Sequence, residues 1–183
     1  GDVYKRQIVR NAFTVIAAPG GVGKTFIGLI TALHFLAEHP LSKAYVWASE
    51  DPSGVMKDRE VAIVSKYMSK GIDFSEATDR ICYGHKIHDK FTEKRGGSMR
   101  TSDYFSQIKR SLIDFDFVML DPLLNFYGGD SENDNLHVRV FMSAIQAWAT
   151  DEGKTVVGIH HGRKEDGEIR GASAFVDGSR LVY

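Results

Sequence analysis

Residues 17–25 read Ala-Ala-Pro-Gly-Gly-Val-Gly-Lys-Thr, and no other stretch restricts the possible folds as tightly. The run before it, Phe13-Thr14-Val15-Ile16-Ala17, is apolar and suits a buried strand. The run after it, residues 26–36, is too long for a strand and apolar nearly all round, as a buried helix is. Strand, glycine loop, Gly-Lys-Thr and helix, in that order, form the context of a P-loop. Gly20, Gly21 and Gly23 allow positive φ angles and close backbone approach, so that successive N–H groups can wrap a phosphate. The start of the helix adds its dipole to that field. Lys24 then reaches the β- and γ-phosphates, and the Thr25 hydroxyl is placed to ligate Mg²⁺. The expected contacts of a bound ATP are therefore Pro19, Gly20, Gly21, Val22, Gly23, Lys24, Thr25 and Phe26. Ala18 departs from the pattern, standing where its first glycine belongs.

At 183 residues the chain is long enough for one domain with a substantial core. Lys and Arg number 23 against 24 Asp and Glu, a net charge of −1, so no global basic field points to nucleic acid and any such contact must be local. The single cysteine, Cys82, has no partner within the chain, which suits a reducing cytoplasm. No apolar stretch approaches the roughly 20 residues of a membrane span, and no signal-peptide layout is visible. The expectation is a cytoplasmic protein without membrane association. Gly-Asp-Val-Tyr-Lys-Arg-Gln at positions 1–7 resembles translated adapter sequence, so residues 1–10 are set aside as a non-native or disordered segment. Residues 11–183 are read as one α/β domain. It is expected to be incomplete at its C-terminus, because Arg180-Leu181-Val182-Tyr183 reads as the start of a strand.

Further strands are expected at residues 43–48, 80–84, 115–121 and 155–159, each apolar or mostly so. Between them, a helix with Pro52 in its first turn should run to about Met68, with Met56, Ile63 and Tyr67 on one face and Gly71 closing it. Residues 86–100 are polar and contain Gly96-Gly97, which reads as a surface excursion. Ser102 is a candidate cap for a helix carrying Phe105, Ile108 and Leu112. The last helix is expected to carry Leu136, Val140, Ala144, Ala147 and Trp148 and to end near Gly153. Alternating strands and helices predict an α/β fold, a mainly parallel sheet flanked by helices. In such sheets ligands sit at the carboxyl ends of the strands, where the P-loop, Glu50, Asp121 and His160-His161 would converge.

Asp121 ends an apolar strand and is the candidate Walker B acid, holding Mg²⁺ opposite Thr25. The competing reading is a strand-end aspartate that merely opens the Pro122 turn. Pro122 occupies the position where many P-loop ATPases carry their water-activating glutamate. A base must then come from elsewhere, and Glu50, at the end of a neighbouring strand, is the candidate; Asp58 and Glu60 lie inside a helix. At most one of His160 and His161 can sense the γ-phosphate, because adjacent strand residues point to opposite faces; the competing reading makes one or both of them a core or capping histidine. Arg163 and Lys164, in an expected loop at residues 162–171, are candidate contacts to single-stranded DNA, with Phe126 and Tyr127 as stacking platforms. Asp130, Glu132 and Asp134 crowd the facing loop and oppose that reading.

Taken together, these pieces resemble the RecA-like ATPases of the plasmid RepA-type hexameric helicase group. The resemblance rests on Ala18-Pro-Gly-Gly-Val-Gly-Lys-Thr25, Ser49-Glu-Asp-Pro52 with Arg59 downstream, Val118-Met-Leu-Asp-Pro122, Ile159-His-His-Gly162, and Arg170-Gly-Ala-Ser173 running on to Arg180. It implies a RecA-like P-loop NTPase core that hydrolyses ATP with Mg²⁺ in a homo-oligomeric, hexameric ring, acting on single-stranded DNA in phage or plasmid replication. It further implies Lys24 and Thr25 as phosphate and Mg²⁺ ligands, Glu50 as catalytic base and Asp121 as Walker B acid. His161 matches the group's phosphate-sensing histidine, and Arg180 its arginine finger, acting on a neighbouring subunit's ATP. The alternative is a RecA-like regulator whose ATP turnover drives assembly or remodelling of a partner.

Overall fold

The computed structural model describes residues 8–19, 23–165 and 168–170. Five parallel strands form the main sheet: β1 (Phe13–Pro19), β2 (Ala44–Ala48), β3 (Ile81–Gly84), β6 (Phe117–Asp121) and β7 (Thr155–Glu165), in the spatial order β1-β7-β6-β2-β3. Successive side chains on a strand face opposite ways, and both faces here are apolar. On β6, Val118 and Leu120 enter one core while Phe117 and Met119 enter the other. Val15 and Ile16 divide in the same way on β1, as do Val156 and Val157 on β7.

Helices α1 (Lys24–Glu38) and α2 (Ser53–Met68) close one face, through Leu29, Leu33 and Leu36 from α1 and Met56 and Ile63 from α2. Helix α2 begins one residue after Pro52, and Gly71 follows its end at φ 80°. The short helix α3 (Ser75–Thr78) leads into β3. Helices α4 (Asp103–Ser111) and α5 (Asn135–Asp151) close the other face. The Ser102 hydroxyl caps α4 by accepting from the Phe105 N–H at 3.1 Å. These are the layers of a RecA-like P-loop core: a parallel sheet between helices.

Three expectations are refined or corrected. The surface excursion at residues 86–100 is exposed at most positions and is built of regular structure. It holds a hairpin, β4 (Thr92–Arg95) and β5 (Ser98–Thr101), turned through Gly96 and Gly97, both at positive φ as a tight two-residue turn requires. Its anchors are Phe91, fully buried, and Met99, packed into the same core as Phe105 and Phe126. Residues 162–171 are not a plain loop: β7 runs on to Glu165 and pairs antiparallel with β8 (Glu168–Arg170). Finally, α5 buries Val138, Phe141, Met142, Ile145, Trp148 and Ala149, whereas Leu136 is 71% exposed and Ala147 lies on the surface. Both stripes repeat at helical spacing. The one carrying Phe141, Met142 and Ile145 removes more apolar area from water, and it wins.

Two cations hold the chain where α1 and α4 end, Arg80 half-buried and Lys154 buried. Arg80 donates to the carbonyls of Leu36, His39 and Ser42 at 2.8–2.9 Å, satisfying the C-terminus of α1. Lys154 donates to the carbonyls of Leu112, Ile113 and Phe115 at 2.7–3.1 Å beyond α4, and burial lowers its pKa. Lys154→Met should fill the same space but leave those carbonyls without their donor. The expected loss is about 2–3 kcal/mol of stability, seen as a lower urea midpoint at unchanged m-value.

Candidate functional site

The strand order sets the site. Register places Ala17 beside His160 and Ala18 beside His161 across β1 and β7, and Ala48 beside Asp121 across β2 and β6. The P-loop, His161, Asp121 and Glu50 thus follow one another along the carboxyl edge of the sheet. β7 lies between the P-loop strand and the strand of Asp121, so those two strand ends stand about 10 Å apart. Helix α1 closes that gap. A Cβ at Gly28 would lie 2.7 Å from Met119 Sδ and 3.2 Å from Ile159 Cδ1, so the helix sits as close to the sheet as a residue without a side chain permits. The first turn of α1 is carried over β7, and the Thr25 hydroxyl donates to Asp121 Oδ2 at 2.7 Å.

The other Asp121 oxygen, Oδ1, faces His161 Nε2 at 3.4 Å. His161 is 42% exposed and reaches outward over a carboxylate that is 5% exposed. Its neighbour His160 is buried, and burial holds that imidazole below its ordinary pKa. Of the pair, His161 is therefore the residue at the mouth of the site. Burial pushes the Asp121 carboxyl up, against the hydrogen bonds from Thr25 and His161. Burial also lowers the Lys24 amine, with the Asp121 charge opposing.

Gly23 adopts φ 77° immediately before α1, as a phosphate-binding turn needs. Phe26 is 39% exposed, with the Arg59 guanidinium 5.7 Å from its ring centroid, and Arg59 is itself paired to Asp51 at 2.6 Å. Gly20, Gly21, Val22 and Arg180 lie outside the described residues, as do the side chains of Pro19, Arg163 and Lys164. The backbone of the last two runs along β7.

Glu50 is exposed beyond the end of β2 and accepts from Asn125 Nδ2 at 3.3 Å. Glu60, by contrast, is buried under α2, where it accepts from Lys57 and from the Tyr83 hydroxyl, which keeps it away from the site. Phe126 and Tyr127 are not stacking platforms: they are 0% and 5% exposed and belong to the core. The acidic loop carries structural duties. Asp130 pairs with Lys94 of the hairpin, and Asp134 caps α5 through the His137 N–H and pairs with the His137 ring at 2.8 Å. That loop still walls an open cavity of about 440 Å³ beside His161. The sequence reading missed Asn125. Its one signal was an amide standing between Leu124 and Phe126, just past a strand end, where every neighbour is apolar.

The hard oxygen donors of Thr25 and Asp121, with Lys24 beside them, fit a magnesium nucleotide. Bound there by Thr25 and Asp121, Mg²⁺ would neutralise phosphate charge. A parallel sheet whose first strand leads through the Gly-Gly-Val-Gly-Lys-Thr sequence into α1, with the Thr25–Asp121 pair at its carboxyl edge, defines a P-loop nucleoside triphosphatase core. More specifically, a family model for the AAA domain matches residues 2–167, and the chain belongs to that family of ATP-binding hydrolases. No curated protein matches the chain. No helix among the described residues is long and apolar enough to cross a membrane.

Asp121→Asn keeps an acceptor for Thr25 and a polar group toward His161 while removing the desolvated charge. Because the folded chain holds the Asp121 proton to a higher pH than the unfolded chain, ionisation of this group costs stability as pH rises through that window. Without nucleotide, the variant should melt at higher temperature than wild type at neutral pH, with the gain shrinking as pH falls toward the ordinary carboxylate value of about 3.9. Calorimetry across that range checks it, and an equal gain at both ends would exclude the charge as its cause.

Proposed function

We propose that this chain hydrolyses ATP with Mg²⁺ between the subunits of a homo-oligomeric ring, as the motor of a DNA helicase or translocase in phage or plasmid replication. The observation that carries the hydrolytic reading is the Asp121 carboxylate, held between the Thr25 hydroxyl at 2.7 Å and His161 at 3.4 Å. In this reading Lys24 and the phosphate loop bind the triphosphate, and Glu50 takes a proton from water as its oxygen attacks the γ-phosphorus. The bond from that phosphorus to the β–γ bridging oxygen breaks, giving ADP and phosphate. His161 senses the γ-phosphate, and Arg180 is supplied to the neighbouring subunit's ATP.

Lys24→Ala should weaken ATP binding itself. Glu50→Gln should bind ATP as wild type does but turn over about 10²-fold more slowly or worse. Equal loss of affinity in both variants would remove Glu50 from catalysis.

A second reading, a RecA-like regulator that remodels a partner, gains from the burial of Phe126 and Tyr127 and from the acidic wall beside His161. Stimulation of ATP turnover by single-stranded DNA separates the two. For the motor, Arg163→Ala with Lys164→Ala should also reduce the salt slope of DNA binding by about one to two units. Turnover indifferent to DNA, with no DNA binding at low salt, favours the regulator.

A further inference from the structure

The exposed carboxylate of Glu50 has a built support. Asn125 lies on the 3₁₀ turn Leu123–Phe126 that follows β6, and its Nδ2 stands 3.0 Å from Ser49 Oγ and 3.3 Å from Glu50 Oε1. Ser49 in turn donates to the Asp121 carbonyl, from its backbone N–H at 2.8 Å and from its hydroxyl at 3.3 Å. The directions are self-consistent. The Ser49 proton goes to Asp121, leaving its oxygen to accept from the amide, and the second amide hydrogen points to Glu50. Turning the amide over would set its oxygen against the carboxylate, which fixes Nδ2 as the donor end.

Asn125 is itself held. Its N–H donates to the Pro122 carbonyl at 3.1 Å, and its own carbonyl accepts from Lys90 Nζ at 2.6 Å. The next residue, Phe126, accepts from the Phe91 N–H at 2.8 Å and is fully buried. The hairpin segment therefore fixes the turn, and the turn fixes the amide.

We propose that Asn125 is the positioning residue for Glu50: it orients the carboxylate toward the γ-phosphate edge and ties that orientation to the strand bearing Asp121. This rests on the reading of Glu50 as the base. An exposed glutamate otherwise samples several rotamers, and small misplacement of a base is costly in rate.

The test is a double-mutant cycle on the full chain, with ATP affinity and turnover measured separately. Asn125→Ala should lower kcat about tenfold or more while leaving ATP affinity within about twofold of wild type. Asn125→Asp, which preserves shape but sets a second carboxylate against Glu50, should be slower still. In a Glu50→Gln background, Asn125→Ala should cause no further loss, because Asn125 acts only through the carboxylate. Thermal melting of both Asn125 variants, alone and in the Glu50→Gln background, shows that the comparison is made on folded protein. Wild-type turnover in Asn125→Ala, or an equal loss with and without Glu50, overturns the positioning role. If Glu50→Gln turns over like wild type, the base assignment falls and the positioning role with it. If Glu50→Gln is slow and Asn125→Ala is not, only the positioning role falls.

Discussion

The hydrogen bond from Thr25 to Asp121 joins parts of the chain 96 residues apart, and much of the architecture is arranged to make it possible. The strands that deliver these residues are not neighbours; β7 separates them. Only a helix lying close across β7 can present its first turn to β6, which is why Gly28 sits where the helix backbone meets Met119 and Ile159. The same close approach leaves Lys24 buried beside a buried carboxylate. Both groups have lost part of their hydration before any nucleotide arrives, so their charges act in a medium that screens them less than water does.

That carboxylate is costly to the empty protein, and its surroundings show how the cost is limited. Each of its two oxygens faces a polar partner, Thr25 on one side and His161 on the other. Three other acids near this edge are drawn into pairings of their own: Asp51 to Arg59, Asp130 to Lys94, Asp134 to His137. Acidic residues that look in the sequence like one repulsive block are, in the fold, partly neutralised elements of capping and docking.

Much of the layered core was legible because period and length are local signals. Strands β1, β2, β3, β6 and β7 and the principal helices fall close to where apolar runs and caps placed them. The parallel sheet put the P-loop, Glu50, Asp121 and the His160-His161 pair at one edge, while the choice of His161 within that pair came from the family resemblance. What escaped was decided by distant packing. Polar residues and a Gly-Gly pair at 92–101 describe an exposed hairpin as well as a loop, and only the burial of Phe91 against Phe126 distinguishes them. In α5 two stripes compete, and the volume waiting opposite Phe141 and Ile145 chooses. Phe126 and Tyr127 failed as base platforms for the same reason: an aromatic pair after a strand says nothing about which way the chain turns next. Asn125 is a harder case, since its role exists only when the 3₁₀ turn and the end of β2 are side by side.

The pairing of β1 with β7 carries a consequence for how the chain is made. Asn11, at the threshold of β1, bonds to Thr155, 144 residues later. The phosphate loop leaves the ribosome well before β7, the strand that completes its floor. At about 5–20 residues per second the wait is on the order of ten seconds. Over that interval β2, α2 and β3 can associate locally, while the apolar segment Phe13-Thr14-Val15-Ile16 still lacks β7, the strand it pairs with among the described residues. The first part of the site to be synthesised is among the last to be secured, and nascent-chain quality control would meet the protein at that segment.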